Sequence, residues 1–435
     1  MKRLLCAALV LAAISSKGAA LNLTQSVDLA VKQNPTVAAS QKRASAAQAR
    51  LNQALSAFFP KVNLSGSLDK AHSTPQTVQI SSGGTTQVVT FGINENATIS
   101  GLKADLSQPV FVSALFPEYG IAKKSADSAG EALQQQIIDV SFDATRAYFQ
   151  VLRAIKMEKL IGDSLEMATA HRQQVQSMLN AGLAKKADLL RSKVREANYN
   201  VDLIKAKYGI ALSNDAFNNV LGNPMGQAVN LKDEGFTGTV KNIPDYAALI
   251  TAAYENRPDW RAFLLKVGIK EDQVRLSQSE YLPNIKLSAD TGSQLTRYPS
   301  FQSDVNSWKV AGIGSWQLFD SFGRENRIRE ASEALEAQRS DAQQLKNNIA
   351  LEVHSAYLNL KSAIDTVVAA QQAVDSAQES YKVASSLYRS GLGTNVDVLD
   401  AQVDLTGAWT DQLDALFEVE VAKAQINKAV GKKVI

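Results

Sequence analysis

"AGLAKKADLL" (Ala181–Leu190) and "SGLGTNVDVL" (Ser390–Leu399) are two versions of one stretch, each a glycine turn followed by a restarting helical pattern. The same register pairs Tyr148 with Tyr357 and "NVLG", ending at Gly222, with "KAVG", ending at Gly431. Towards the start of the chain, "QNPTVAAS" around Pro35 recurs as "NRPDWRAF" around Pro258, and "AFFPKVNLSGSL" around Pro60 as "EYLPNIKLSADT" around Pro283. "SQPVF", ending at Phe111, pairs with "SWQLF", ending at Phe319. A register held from Phe142 to Gly222 marks an internal duplication, interrupted only by a length difference between Pro60 and Phe111.

Each half reads as a helical stretch, two strand-like segments and a very long helical hairpin. Val367, Ala370, Val374, Ala377, Tyr381, Ala384 and Tyr388 recur at alternating steps of three and four, a heptad seam whose alanines permit close helix approach. In the first half Leu165, Ala168, Val175 and Leu179 fit such a seam, but Arg172 occupies one of its positions, so the packing there must differ. An unbroken helix from Phe319 to Gly391 would reach roughly 100 Å at ~1.5 Å per residue. Residues 61–69 and 284–290 instead alternate apolar and polar side chains, the period of a strand with one wet face. A second strand is expected in each half, at about 94–108, with a bulge near Gly101 and Leu102, and at 307–318. Trp308 and Trp316 on the last of these would stand about 26 Å apart at ~3.3 Å per residue, a spacing suited to aromatic girdles flanking a lipid band.

Residues 1–20, with Lys2, Arg3, an apolar run from Leu4 to Ile14 and small residues at Gly18 and Ala20, read as an export signal. Cys6 lies inside it, too near the start for a lipidation site, so the mature chain is expected to lack disulfides and thiolate metal sites. His72, His171 and His354 have no ligand-like spacing, and no cofactor is implied. Of the 46 basic residues three fall in the signal, leaving 43 against 43 acidic, a balance that offers nothing to nucleic acid. No later segment is apolar enough for a transmembrane helix. Four strands cannot close a transmembrane barrel, because an open edge in lipid strands its backbone groups, so a spanning chain must oligomerise.

The signal followed by "LNLTQSVDLAVKQNP" (21–35), the duplicated strands, "LSQPVF" (106–111), "LFDSFGRENRIREA" (318–331) and above all "YRSGLGTNVDVLDAQ" (Tyr388–Gln402) together resemble the TolC family of outer-membrane efflux and secretion channels. The resemblance covers essentially the whole mature chain. It implies an α+β membrane protein and a homotrimer, with a 12-stranded β-barrel in the outer membrane, a 12-helix α-barrel through the periplasm and an equatorial belt. The repeats would be 21–222 and 244–435, joined by a linker at 223–243 in the equatorial region. The expected function is a passive exit duct for efflux or type I secretion, partnered by a periplasmic adaptor and an inner-membrane RND, ABC or MFS pump. No catalytic activity is implied.

Gly182 and Gly391 mark the turns farthest from the strands. In the resemblance these tips form the periplasmic entrance: Asp397 and Asp400 match the aspartates at its narrowest point, and Tyr388 matches a tyrosine that ties the closed state. The turns Gly182, Leu183, Ala184 and Gly391, Leu392, Gly393, Thr394 match those that adaptors contact. Gly393 departs from the pattern, since some members carry a closing arginine there. Local chemistry offers plainer roles as well, because Thr394 and Asp397 match a capping box and glycine ends helices anyway. Two other classes compete. A soluble periplasmic coiled-coil scaffold or adaptor would suit the helix length but not the alternating strands. An enzyme using the paired aspartates would need an enclosed cleft, and no phosphate loop, Ser-His-Asp grouping or metal set accompanies them.

Overall fold

The structure, a computed structural model, describes residues 20–82, 85–91, 94–233, 235–236, 238–240 and 243–435. The expected signal and Cys6 therefore lie outside the described residues, apart from Ala20.

The duplication is visible element by element. The first half comprises α1 (Leu23–Gln33), α2 (Pro35–Ser56), strands β1 to β4, α3 (Leu115–Asn180, 66 residues) and α4 (Lys186–Leu221, 36 residues). The second comprises α5 (Tyr246–Asn256), α6 (Pro258–Ser279), β5 and β6, α7 (Gly323–Arg389, 67 residues) and α8 (Asn395–Val430, 36 residues). Among the described residues no helix is long and apolar enough to cross a membrane.

The chain divides into two compact units. One holds residues 44–129 and 263–342 and contains the sheets. Strands β1 (Lys61–Ser73), β4 (Glu95–Phe111), β5 (Asn284–Arg297) and β6 (Gln302–Ser315) form an antiparallel sheet in the order β1-β4-β5-β6. Sheet pairing thus joins the two halves through β4 and β5. The extra length of the first half is a separate hairpin, β2 (Gln76–Ser82) with β3 (Thr85–Phe91).

Two strand expectations need correction. No bulge occurs at Gly101 and Leu102, where the ladders to β1 and β5 run uninterrupted. The apparent change of period arises because Ile99 shares the face of Gly101 and Lys103 while Leu102 takes the other. The irregularity falls instead between Pro109 and Phe111, beside a residue with no N–H to give to a ladder. The last strand ends at Ser315, which leaves Trp316 just beyond it.

Register assigns the faces. Val62, Leu64 and Leu68 of β1 align with Leu106, Ala104 and Ser100 of β4, and the row continues through Ala289, Thr291 and Leu295 of β5 to Val310, Trp308 and Asp304 of β6. The opposite face carries Asn63, Asp105, Asp290 and Lys309 in one row, with Asn63 Nδ2 donating to Asp105 Oδ2 at 3.0 Å. Val62, Leu64, Leu68, Leu102, Trp308 and Val310 are all exposed, so this apolar face has no partner among the described residues.

The other unit holds 20–43, 130–262 and 343–435 within the described residues, and its two main cores mirror each other. Tyr148, Val151, Phe217 and Leu221 pack with Ala30 of α1, while Ile349, Val353, Leu360 and Ile426 pack with Leu249 and Ala253 of α5. At each helix junction a proline opens the next helix, where its missing N–H costs nothing. The residue before it reaches across to a helix end: Asn34 Nδ2 donates to Val220 O at 2.8 Å, and Arg257 Nη1 donates to Ala429 O at 2.9 Å. The seam from Val367 to Tyr388 is buried or half-buried throughout. In α3 the buried stripe is Ser164, Ala168, His171 and Val175, so the seam position assigned to Arg172 belongs to His171. Arg172 lies one residue round the helix and pairs with Glu196 at 2.7 Å.

Candidate functional site

The two hairpin turns share one construction. Gly182 and Gly391 adopt φ of +74° and +77°, a left-handed conformation in which a side chain is strained. The N–H of Leu183 donates to Met178 O at 2.7 Å and that of Leu392 to Leu387 O at 2.9 Å, while each glycine N–H donates to the carbonyl three residues back. This double closure ends α3 and α7 and satisfies carbonyls that would otherwise be orphaned. It also leaves Leu183 74% and Leu392 80% exposed, an apolar side chain at each turn with no cover among the described residues. Gly393 is tightly placed: a Cβ there would meet Leu387 Cβ and Tyr388 N at 3.0 Å. An arginine at this position would require the turn to shift.

Helix α8 starts from a reciprocal cap. Asp397 Oδ2 accepts from the Thr394 N–H at 2.9 Å and from Thr394 Oγ1 at 2.7 Å, and the Asp397 N–H donates to Thr394 Oγ1 at 3.3 Å. Donation by the Thr394 hydroxyl and N–H holds the Asp397 carboxyl below the usual carboxylate range. The capping role is therefore present, and Asp397 nevertheless stays exposed. Asp400, one turn on, is exposed and has no hydrogen-bond partner among the described residues. Beside them runs an open groove of about 410 Å³ between α7 and α8, lined by Glu379, Val383, Leu387, Gly393 and Asp397 among others.

Tyr388 is not brought together with the exposed carboxylates. It is only 6% exposed, packed with Val175, Leu189 and Val398, and its hydroxyl is buried without a hydrogen-bond partner among the described residues. Burial, with Asp188 nearby, raises its pKa. Its ring meets His171 edge to face at 5.4 Å.

His171 belongs to a buried polar ladder that joins α3, α4 and α8 and that hydrophobic spacing did not find. His171 Nε2 lies 2.8 Å from Asn395 Oδ1, which also accepts from Ser192 Oγ at 3.2 Å. Further along α8, Thr406 Oγ1 lies 3.1 Å from Ser164 Oγ and 3.0 Å from Tyr199 OH, and Gln402 Nε2 donates to Ser164 O at 3.3 Å. Steps of four, three and four from Ser164 to Val175 were the available signal, but two of those four residues are polar and a count of apolar positions passes over them.

In the sheet-bearing unit, Trp308 is 80% exposed on the apolar face, and Trp316 donates its Nε1–H to Tyr281 O at 3.0 Å.

Residues 26–223 and 249–432 match the family model described as "Outer membrane efflux protein". The chain belongs to the outer membrane efflux protein family. Outer membrane protein TolC of Escherichia coli (strain K12) is 24% identical over 444 residues, covering 99% of this chain and 87% of the relative. Among solved structures, the outer-membrane channel OprN superposes with a TM-score of 0.79 at 20% identity, over 94% of this chain and 89% of the other. VceC of Vibrio cholerae gives 0.78 at 16% identity, over 94% and 96%. The efflux family is one of channels, not enzymes, and this member is an exit duct of the outer membrane, extending into the periplasm, for efflux or secretion. TolC-like channels are homotrimeric and work with inner-membrane pumps and adaptors.

Proposed function

We propose that this channel is gated at the α7–α8 turn and docks its adaptor through the two hairpin tips. Asp397 and Asp400 carry the first part of the reading: both are exposed on one side of the first turns of α8 while their neighbours Val398 and Leu399 are buried. Three copies around an axis would set six carboxylates close together, and their repulsion in a narrow, poorly screened space would need cations or protonation to relieve it. Tyr388 acts from behind, through packing against Val398, rather than through its hydroxyl. Docking rests on exposed Leu183 and Leu392, with Gly182, Ala184, Gly391, Gly393 and Thr394 shaping the turns. Trp308 and Trp316 mark the membrane interface, and the repeats 21–222 and 244–435 are joined at 223–243 in an equatorial belt. The pump is of the RND, ABC or MFS class, reached through a periplasmic adaptor.

Planar-bilayer conductance tests the gate. Asp397→Asn with Asp400→Asn should raise conductance several-fold and abolish block by divalent cations added from the tip side. Conductance and block equal to those of the wild type would return both carboxylates to capping and surface roles.

A further inference from the structure

Above the turns, a histidine is buried where three helices meet the start of a fourth. His171 is 4% exposed on α3 and contacts Tyr388 near the end of α7, while Asn395, the first residue of α8, holds its Nε2. The hydrogen bonds settle its proton. Asn395 Nδ2 donates to Asp188 O at 3.2 Å, so Asn395 Oδ1 faces the ring and the imidazole Nε2–H must donate. Nδ1 is then the basic nitrogen, and it has no hydrogen-bond partner among the described residues.

A proton arriving at Nδ1 would create a charge in a poor place. The first turn of α8 presents its positive end there. Among the described residues no carboxylate is paired with it. On α3 itself Arg172 is paired with Glu196 of α4. From α4, Asp188 accepts the Lys185 N–H at 3.3 Å; from α8, Asp397 is turned onto Thr394; from α7, Tyr388 and Tyr381 present neutral phenols. Burial accordingly lowers the His171 pKa.

We infer that His171 is a proton-sensitive latch: neutral, it holds the ends of α7 and α8 against α3 and α4, and its protonation releases the tip. The sign follows from linkage. A base whose pKa is depressed in the latched state binds more protons when released, so latching is favoured above the ordinary imidazole value of about 6.5 and weakens as pH falls below it. The latch rests on the gate reading of the same tip.

The purified trimer, spin-labelled through a cysteine at position 390 (Ser390→Cys), provides the test by pulsed distance measurement across the pH range. Histidine labelling for NMR accompanies it, since the sequence has only His72, His171 and His354 and His171→Gln identifies one signal by its loss. Label separations in the wild type should lengthen as pH falls below the ordinary imidazole value of about 6.5, tracking the His171 signal. His171→Gln, which retains a donor to Asn395, should keep the tips together over that range. Asn395→Asp should move the His171 midpoint upward and likewise keep them together, because a carboxylate then partners the charge. Opening of His171→Gln at the wild-type pH, or titration of His171 with no change in separation, would overturn the latch. The gate carboxylates are tested separately, by conductance of their double variant at pH 7.5, where His171 is neutral.

Discussion

Thr394 and Asp397 form a helix cap at the same turn to which the proposed gate is assigned. The Asp397 carboxylate is depressed by donors from Thr394, so the cap is complete above the usual carboxylate range and is lost as pH falls through the depressed value. That window lies well below the one expected for His171, so the two acid responses are separable. Thr394→Val should move the Asp397 titration upward, as read by carboxyl NMR, because the hydroxyl donor is gone. Gly391→Trp places a bulky side chain at a φ of +77° in open space at the turn. It should abolish efflux in a susceptibility assay while leaving trimers intact, and normal efflux would sink the docking proposal. The cap was legible in the sequence, being a matter of four consecutive residues. The burial of Tyr388 was not, because it depends on Val175 and Leu189 arriving from α3 and α4.

Among the helices, the clearest lesson comes from the junctions. Arg257, buried, is bonded to Asp259, Glu352 and Ala429 O, and its charge is held by these partners against the cost of burial. Arg257→Met should lower thermal stability by about 1–3 kcal/mol, read from the unfolding midpoint, since it leaves Ala429 O at the end of α8 without its donor and Asp259 and Glu352 without their cation. The proline repeats at Pro35 and Pro258 were legible as a duplication, but each half read as a single helical stretch there, so the junctions themselves came from the structure. The side chains that lock them, Asn34 in one half and Arg257 in the other, share a position and a target but not a chemistry, so no repeat in the sequence announced them. In α3 the heptad count settled on Leu165 and Arg172, one residue round the helix from the buried Ser164 and His171. An apolar seam can be counted; a polar one becomes visible only when Ser192, Asn395 and Thr406 are seen to meet it.

For the assembled channel, the sheet supplies the decisive constraint. β1 and β6 are edge strands with unpaired backbone groups, and in lipid such edges must pair with another copy. Leu64→Arg on the apolar face should cost about 2–4 kcal/mol near the bilayer midplane and deplete trimers from the outer-membrane fraction. Ser65→Arg, one residue on and facing the other way, should leave them there. Equal depletion by both would refute the face assignment. The duplication, the strand alternation, the long hairpins and the glycine turns were all determined by the sequence alone, because each depends on local periodicity or on backbone conformations that few residues tolerate. Tertiary structure alone decided that β4 pairs with β5 across the two halves, that the added length is a separate β2–β3 hairpin, and that a histidine rather than an arginine fills the α3 seam. Those outcomes turn on which distant groups meet and satisfy one another, and no spacing within a single segment encodes them.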